Sequence, residues 1–152
     1  MKATTDNNPT VELATFYIGE ALCGMDILNV QEINKLMDMT KVPQAPTYVT
    51  GILNLRGQIV TVIDLGKKLG LTCTELSDST RNIIVNSDSE YIGLLVSSIS
   101  DVVEAQWDKV EDPPANIGGL QGALFKGVFK TEDRLIGILD VNKVLAEDNS
   151  QQ

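Results

Sequence analysis

The sequence contains no histidine and only two cysteines, Cys23 and Cys73. The first absence removes the side chain most used for acid/base work at neutral pH, for phosphorelay and for transition-metal ligation. A His-dependent triad is excluded. The two cysteines lie fifty residues apart with no C-x-x-C motif for zinc or redox exchange, so reduced structural thiols are expected. Aromatic residues are scarce, with one Trp, three Tyr and three Phe, which would furnish a sugar-stacking cleft poorly. Basic residues are outnumbered, 12 Lys and Arg against 21 Asp and Glu, for a net charge of −9. With no Lys/Arg cluster there is no footprint for a phosphate backbone, and no nucleic-acid partner is expected. Met1 to Pro9 lacks a signal-peptide core, and no apolar run reaches the roughly eighteen residues of a membrane span. A soluble, cytoplasmic chain with no direct membrane insertion is the expectation.

What is present is a chain of 152 residues, 43% apolar, enough for a real core in one unit or two small lobes. Polar ends, residues 1–10 and 147–152, are expected to fray. Val11 to Ile18 is rich in β-branched and aromatic residues, Gly19-Glu20 makes a turn, and Ala21 to Met25 returns as a second strand. Asp26 to Ile33 reads as holding a short helical turn. A third strand is placed at Lys35 to Lys41, before Pro43 and Pro46 break the chain.

The clearest local unit runs from Gly51 to Asp64, two apolar runs around Asn54-Leu55-Arg56-Gly57. Asn54 suits the first position of a type I turn, Gly57 the left-handed position of a hairpin bulge, and Arg56 the tip. Asp64 then reads as the N-cap of a short helix stopped by Gly70. Leu135 to Leu145 repeats Ile59 to Leu69 at an offset of 76, and Gly24, Val30, Glu32 and Ile33 match Gly93, Ile99, Asp101 and Val102 at an offset of 69. The agreement in order predicts a diverged duplication into two related β lobes. Arg81 to Asn86 and Glu90 to Val96 form a hairpin across Ser87-Asp88-Ser89. Pro113-Pro114 and Gly118-Gly119 bracket a loop. Gly122 to Lys130 and Arg134 to Leu139 close the chain as the last hairpin.

Catalytic motifs are missing: no G-x-G-x-x-G, Walker loop, G-x-S-x-G or S-x-x-K. Gly118, Gly119, Gly122 and Gly127 read as turn and bulge glycines. Ser97, Ser98 and Ser100 have no base to activate them and read as capping or turn residues. Asp101, Glu104, Asp108, Glu111 and Asp112 lack the spacing of a calcium loop and read as a solvated face. No enzyme activity, cofactor or metal is expected. A small enzyme working through Asp or Glu would need a deep polar pocket faced by two carboxylates.

Arg56 stands out for its neighbours. A planar five-donor fork between Leu55 and Gly57, beside Gly51, Ile52 and Leu53, suits a protein-binding hot spot. Glu32, between Val30 and Ile33, gains meaning only if it lies near Arg56.

On Asp26 to Ile33, on Gly51-Ile52-Leu53-Asn54-Leu55-Arg56-Gly57 with Val60 to Leu65, on Ile99 to Val102 and on Leu135 to Leu145, the sequence resembles the bacterial chemotaxis coupling protein CheW family over about residues 11–146. The resemblance implies an all-β fold: two SH3-like five-stranded β-barrel lobes packed as one CheW-like unit with short connecting helices. The first lobe spans about 11–80 and the second about 81–146, with strand exchange between them left open. It also implies a non-catalytic, cofactor-free adaptor. The implied partners are the regulatory domain of a CheA-type histidine kinase and the cytoplasmic tip of a chemoreceptor (methyl-accepting chemotaxis protein), in arrays at the inner membrane face. Glu32 and Arg56 match family positions important for coupling. Val30, Ile33, Gly51, Leu53, Leu55 and Gly57 would line a groove between lobes, and Asn54 completes the receptor- and kinase-binding set. Thr61 replaces a common strand proline, and Ser97-Ser98-Ile99 departs from the usual residues before the second acidic block. These departures leave open an SH3-like module of a parallel chemosensory pathway, such as pilus-based motility.

Overall fold

The computed structural model describes residues 9–71, 74–117 and 119–146. The expected termini fall mostly outside these residues, as do Cys73 and Gly118. Strand β1 (Thr10–Ile18) begins inside the N-terminal stretch assigned to fraying. It turns at Gly19, at φ 60°, into β2 (Ala21–Asp26). Asp26 then caps a single 3-10 turn, Ile27–Asn29, by accepting from the Leu28 amide at 3.0 Å.

The third strand is a correction. It is β3 (Val30–Lys35), not residues 35–41. Half-buried Val30, Glu32 and Asn34 alternate with exposed Gln31, Ile33 and Lys35, a period-2 pattern that ends where the chain bends toward another strand. Next come β4 (Val49–Leu55), β5 (Gln58–Asp64) and α1 (Leu65–Lys68), capped by Asp64 as expected. The hairpin β6 (Arg81–Ser87) and β7 (Glu90–Val96) follows. The serines thought to cap or turn, Ser98 and Ser100, lie instead within β8 (Ser98–Gln106). Only Ser97 keeps a turn role, its hydroxyl accepting from the Gly19 amide at 3.0 Å. The segment read as a plain loop carries a small ribbon, β9 (Asn116–Ile117) and β10 (Leu120–Gln121). Gly122 to Leu124 is a 3-10 turn, so β11 starts later than expected (Phe125–Lys130) and pairs with β12 (Leu135–Leu139) before α2 (Val141–Leu145).

Two five-stranded sheets result, in the orders β3-β6-β7-β5-β4 and β11-β12-β2-β1-β8. Each takes its inner hairpin from the other half of the chain: β1–β2 sits among late strands, β6–β7 among early ones. The two insertions use the same join, a parallel pairing of β5 with β7 and of β12 with β2. Both sheets also close in the same way. Thr40 exchanges two backbone hydrogen bonds of 2.8 Å with Ile52, bringing the chain after β3 onto β4. Glu111 and Val128 do the same for the chain after β8 and β11.

Closure creates one apolar interior per lobe. Leu53, Val60, Val62, Ile84 and Leu95 fill the first. Val11, Leu13, Leu22, Ala105, Phe129, Ile136 and Ile138 fill the second. A third and larger cluster, including Phe16, Met25, Ile83, Val85, Leu94 and Leu139, joins the two sheets. The fold is therefore all-β, two five-stranded lobes in one unit, with helix confined to short connectors. Cys23 is a fully buried free thiol in the joining cluster. The acidic residues Asp101, Glu104, Asp108, Glu111 and Asp112 are all exposed, as a solvated face requires.

Candidate functional site

Arg56 and Gly57 form the whole turn between β4 and β5, since Leu55 pairs directly with Gln58. Both turn residues have positive φ, 53° and 86°, the two-residue hairpin geometry that follows the natural strand twist. The expected type I turn with a bulge is thus replaced by a tighter one. Asn54 supports it, its Oδ1 accepting from the Gly57 amide at 2.9 Å. The tight turn holds Arg56 upright at the end of the lobe.

There it meets Glu32. Nη2 of Arg56 donates to both carboxylate oxygens of Glu32, at 2.8 and 2.6 Å. Asn34, on the same face of β3, donates a third hydrogen bond at 3.3 Å. The Arg56 hydrogen bond, with that from Asn34, holds the Glu32 carboxyl below the usual carboxylate range. β3 and β4 are opposite edges of the sheet, so the pair spans the seam across which the lobe closes. It lies over a cavity of about 260 Å³ whose floor includes Ile84, Leu55 and Tyr91. The Arg56 side chain is 70% exposed and that of Glu32 28%, an asymmetry that leaves most of the guanidinium facing outward.

The remaining predicted site residues divide by location. Asn54 and Gly57 are exposed at the tip, Leu55 is half-buried beside the cavity, and Ile33 is 40% exposed on β3. Val30 packs against the cluster joining the lobes. Leu53 is buried inside the first lobe and has no surface with which to line a groove. Gly51 is buried beneath the closing segment, where a Cβ would lie 2.7 Å from the Thr40 carbonyl oxygen. None of Val30, Ile33, Gly51, Leu53, Leu55 and Gly57 borders the cavity of about 770 Å³ between α2 and the first sheet, which Tyr48, Thr61, Ile63, Lys68 and Leu145 help to line. Alternation along β4 turns Leu53 inward, and closure covers Gly51.

Sequence reasoning missed Asn34, Gln31, Gln58 and Tyr91 around the pair. The available signal was strand periodicity from Glu32 to Asn34, hidden by starting β3 too late. Chemically, the site offers charge-assisted hydrogen bonds over an apolar floor and no nucleophile. Among the described residues no group of His, Cys, Asp and Glu could hold a metal ion. Asp88 and Glu90, beside the larger cavity, are exposed at the β6–β7 tip rather than enclosed as an acid/base pair requires.

Two lobes closed alike, the first with the Glu32–Arg56 pair across its seam, define an all-β interaction module. The CheW-like domain model matches residues 12–149, and the chain belongs to that family. It is 31% identical to chemotaxis protein CheW of Treponema pallidum over 150 residues, covering 96% of this chain and 88% of that protein. It is also 31% identical to chemotaxis protein CheW of Thermotoga maritima, covering 97% and 95%. The crystal structure of scaffolding protein TtCheW from Thermoanaerobacter tengcongensis superposes with a TM-score of 0.82 at 32% identity, covering 92% and 90%.

Proposed function

We propose that this protein is the non-catalytic adaptor that couples chemoreceptor cytoplasmic tips to a CheA-type histidine kinase in chemotaxis. The observation that carries the reading is the Glu32–Arg56 pair. Its outward guanidinium offers free donors at a rim with Leu55 beneath and Ile33 on the same edge strand. Such a site fits a helix bearing a carboxylate next to apolar residues. The contact set is Glu32, Ile33, Asn54, Leu55, Arg56 and Gly57 at the surface, with Val30, Gly51 and Leu53 shaping it from within. An adaptor without catalytic groups alters kinase output only by binding its active and inactive states unequally. No helix among the described residues is long and apolar enough to cross a membrane, in keeping with recruitment to arrays from the cytoplasm.

Cosedimentation tests the reading. Vesicles bearing receptor cytoplasmic fragments are expected to pellet the kinase only when this protein is added, and Arg56→Ala is expected to abolish most of that recruitment. Kinase pelleting that is equal with and without the protein would overturn it.

A further inference from the structure

We infer that Asn34 is a positioning residue that fixes the Glu32 carboxylate for its pairing with Arg56, with Asn82, its buried cross-strand neighbour, as an inner support through packing and not through a hydrogen bond. Asn34 and Asn82 are direct cross-strand partners on β3 and β6, so their side chains share one face. Glu32 and Ile84, the next outward pair on that face, lead to the rim where Arg56 sits. The order from outside to inside is thus Arg56, Glu32, Asn34, Asn82. Asn82 is completely buried, and neither polar atom of its side chain has a hydrogen-bond partner among the described residues.

A buried carboxamide of that kind opposes stability, so a reason for it is required. The second lobe shows that the fold does not supply one. At the same places, an offset of 69 away, Leu13 stands for Asn82 and Val103 for Asn34, and these too are cross-strand partners. Leu13 is fully buried and Val103 packs against its cluster, so an apolar rung serves this topology well. The rim differs in step. Asp101 stands for Glu32, and Glu132, at an offset of 76, stands for Arg56. The second lobe has acidic residues at both of these rim places and apolar rungs, its ion pairs Lys130–Glu111 and Arg134–Asp133 lying at other positions, whereas the lobe with the rim pair has two asparagines. Polar rungs accompany the pair, which is what a support for Glu32 requires.

The inference deepens the proposed function, because it concerns the pair on which that reading rests. Its test reads the pair directly. Asn34→Val and Asn82→Leu install the second lobe's residues, and both variants are expected to fold. A carbon-13 NMR titration of the Glu32 carboxyl, assigned with Glu32→Gln, is expected to show its midpoint shifted up toward the ordinary carboxylate value in Asn34→Val. Asn82→Leu should give a smaller shift in the same direction. A purely structural asparagine would leave the midpoint where it is. An unchanged midpoint in folded Asn34→Val would overturn the positioning role, and an unchanged midpoint in Asn82→Leu alone would overturn the inner support. Cosedimentation of the kinase by receptor vesicles is expected to weaken about tenfold in Asn34→Val, the effect of one lost hydrogen bond to a charged group. A shifted midpoint with undiminished recruitment supports the positioning role and counts against the coupling role of the pair.

Discussion

Gly51 and Gly127, 76 positions apart, perform the same task in the two lobes. A Cβ on Gly51 would stand 2.7 Å from the Thr40 carbonyl oxygen, and one on Gly127 would stand 2.6 Å from that of Glu111. Thr40 and Glu111 are the residues whose bridges close the two lobes. Each glycine therefore leaves room for a backbone carbonyl that cannot move without breaking the closure. The duplication is preserved in backbone contacts as well as in apolar pattern.

Gly51→Ala is accordingly expected to destabilise the protein by roughly 1–3 kcal/mol through overpacking against backbone. Urea denaturation followed by circular dichroism measures this directly. Any loss of partner binding in the variant should scale with the unfolded fraction. A fully stable Gly51→Ala protein would contradict the closure role.

Arg56→Ala and Gly57→Val should separate contact from fold. An exposed ion pair adds little to stability, so Arg56→Ala is expected to melt close to the parent while losing coupling. Gly57 has φ 86° with no atom near its missing Cβ, so valine there meets no clash but strains the backbone. Gly57→Val is expected to lose about 1–3 kcal/mol. Thermal melts of the two variants, read beside cosedimentation, check both expectations.

The Glu32 titration gives a signed pH dependence. Its folded carboxyl is held low by Arg56 and Asn34. The stabilisation this represents is complete above the ordinary carboxylate range of the unfolded chain and is lost as pH falls through the lower folded value. The difference in partner affinity between the parent and Arg56→Ala should therefore be constant from neutral pH down to about 5 and shrink below about 4. Calorimetry at several pH values measures it.

Cys23 is expected to be chemically silent. Burial pushes its thiol up to about 12, so almost no thiolate exists at neutral pH. In a Cys73→Ser background, a disulfide reagent should label the native protein only as fast as it unfolds, and labelling should become immediate in denaturant.

Much of this was legible in the sequence because strand periodicity and duplication are local patterns. The Gly51–Asp64 unit, the capping Asp64, the Leu135–Leu145 repeat, and the hairpins from Val11 and Arg81 all appear where their residues place them. Hairpin exchange could not be read, since β5–β7 and β12–β2 join strands distant in sequence through surfaces that are apolar in either arrangement. Glu32 and Arg56 were each visible, but their pairing depends on closure between opposite sheet edges. Gly51 and Leu53 resembled surface residues because the same glycine and leucine satisfy a groove or an interior. In the structure both are buried.

The most direct test of the central claim is the autophosphorylation rate of a CheA-type kinase reconstituted with receptor cytoplasmic fragments. The account predicts strong activation that requires kinase, receptor and this protein together, and its loss with folded Arg56→Ala. Equal activation by the parent and by folded Arg56→Ala, or none with the parent, would contradict it.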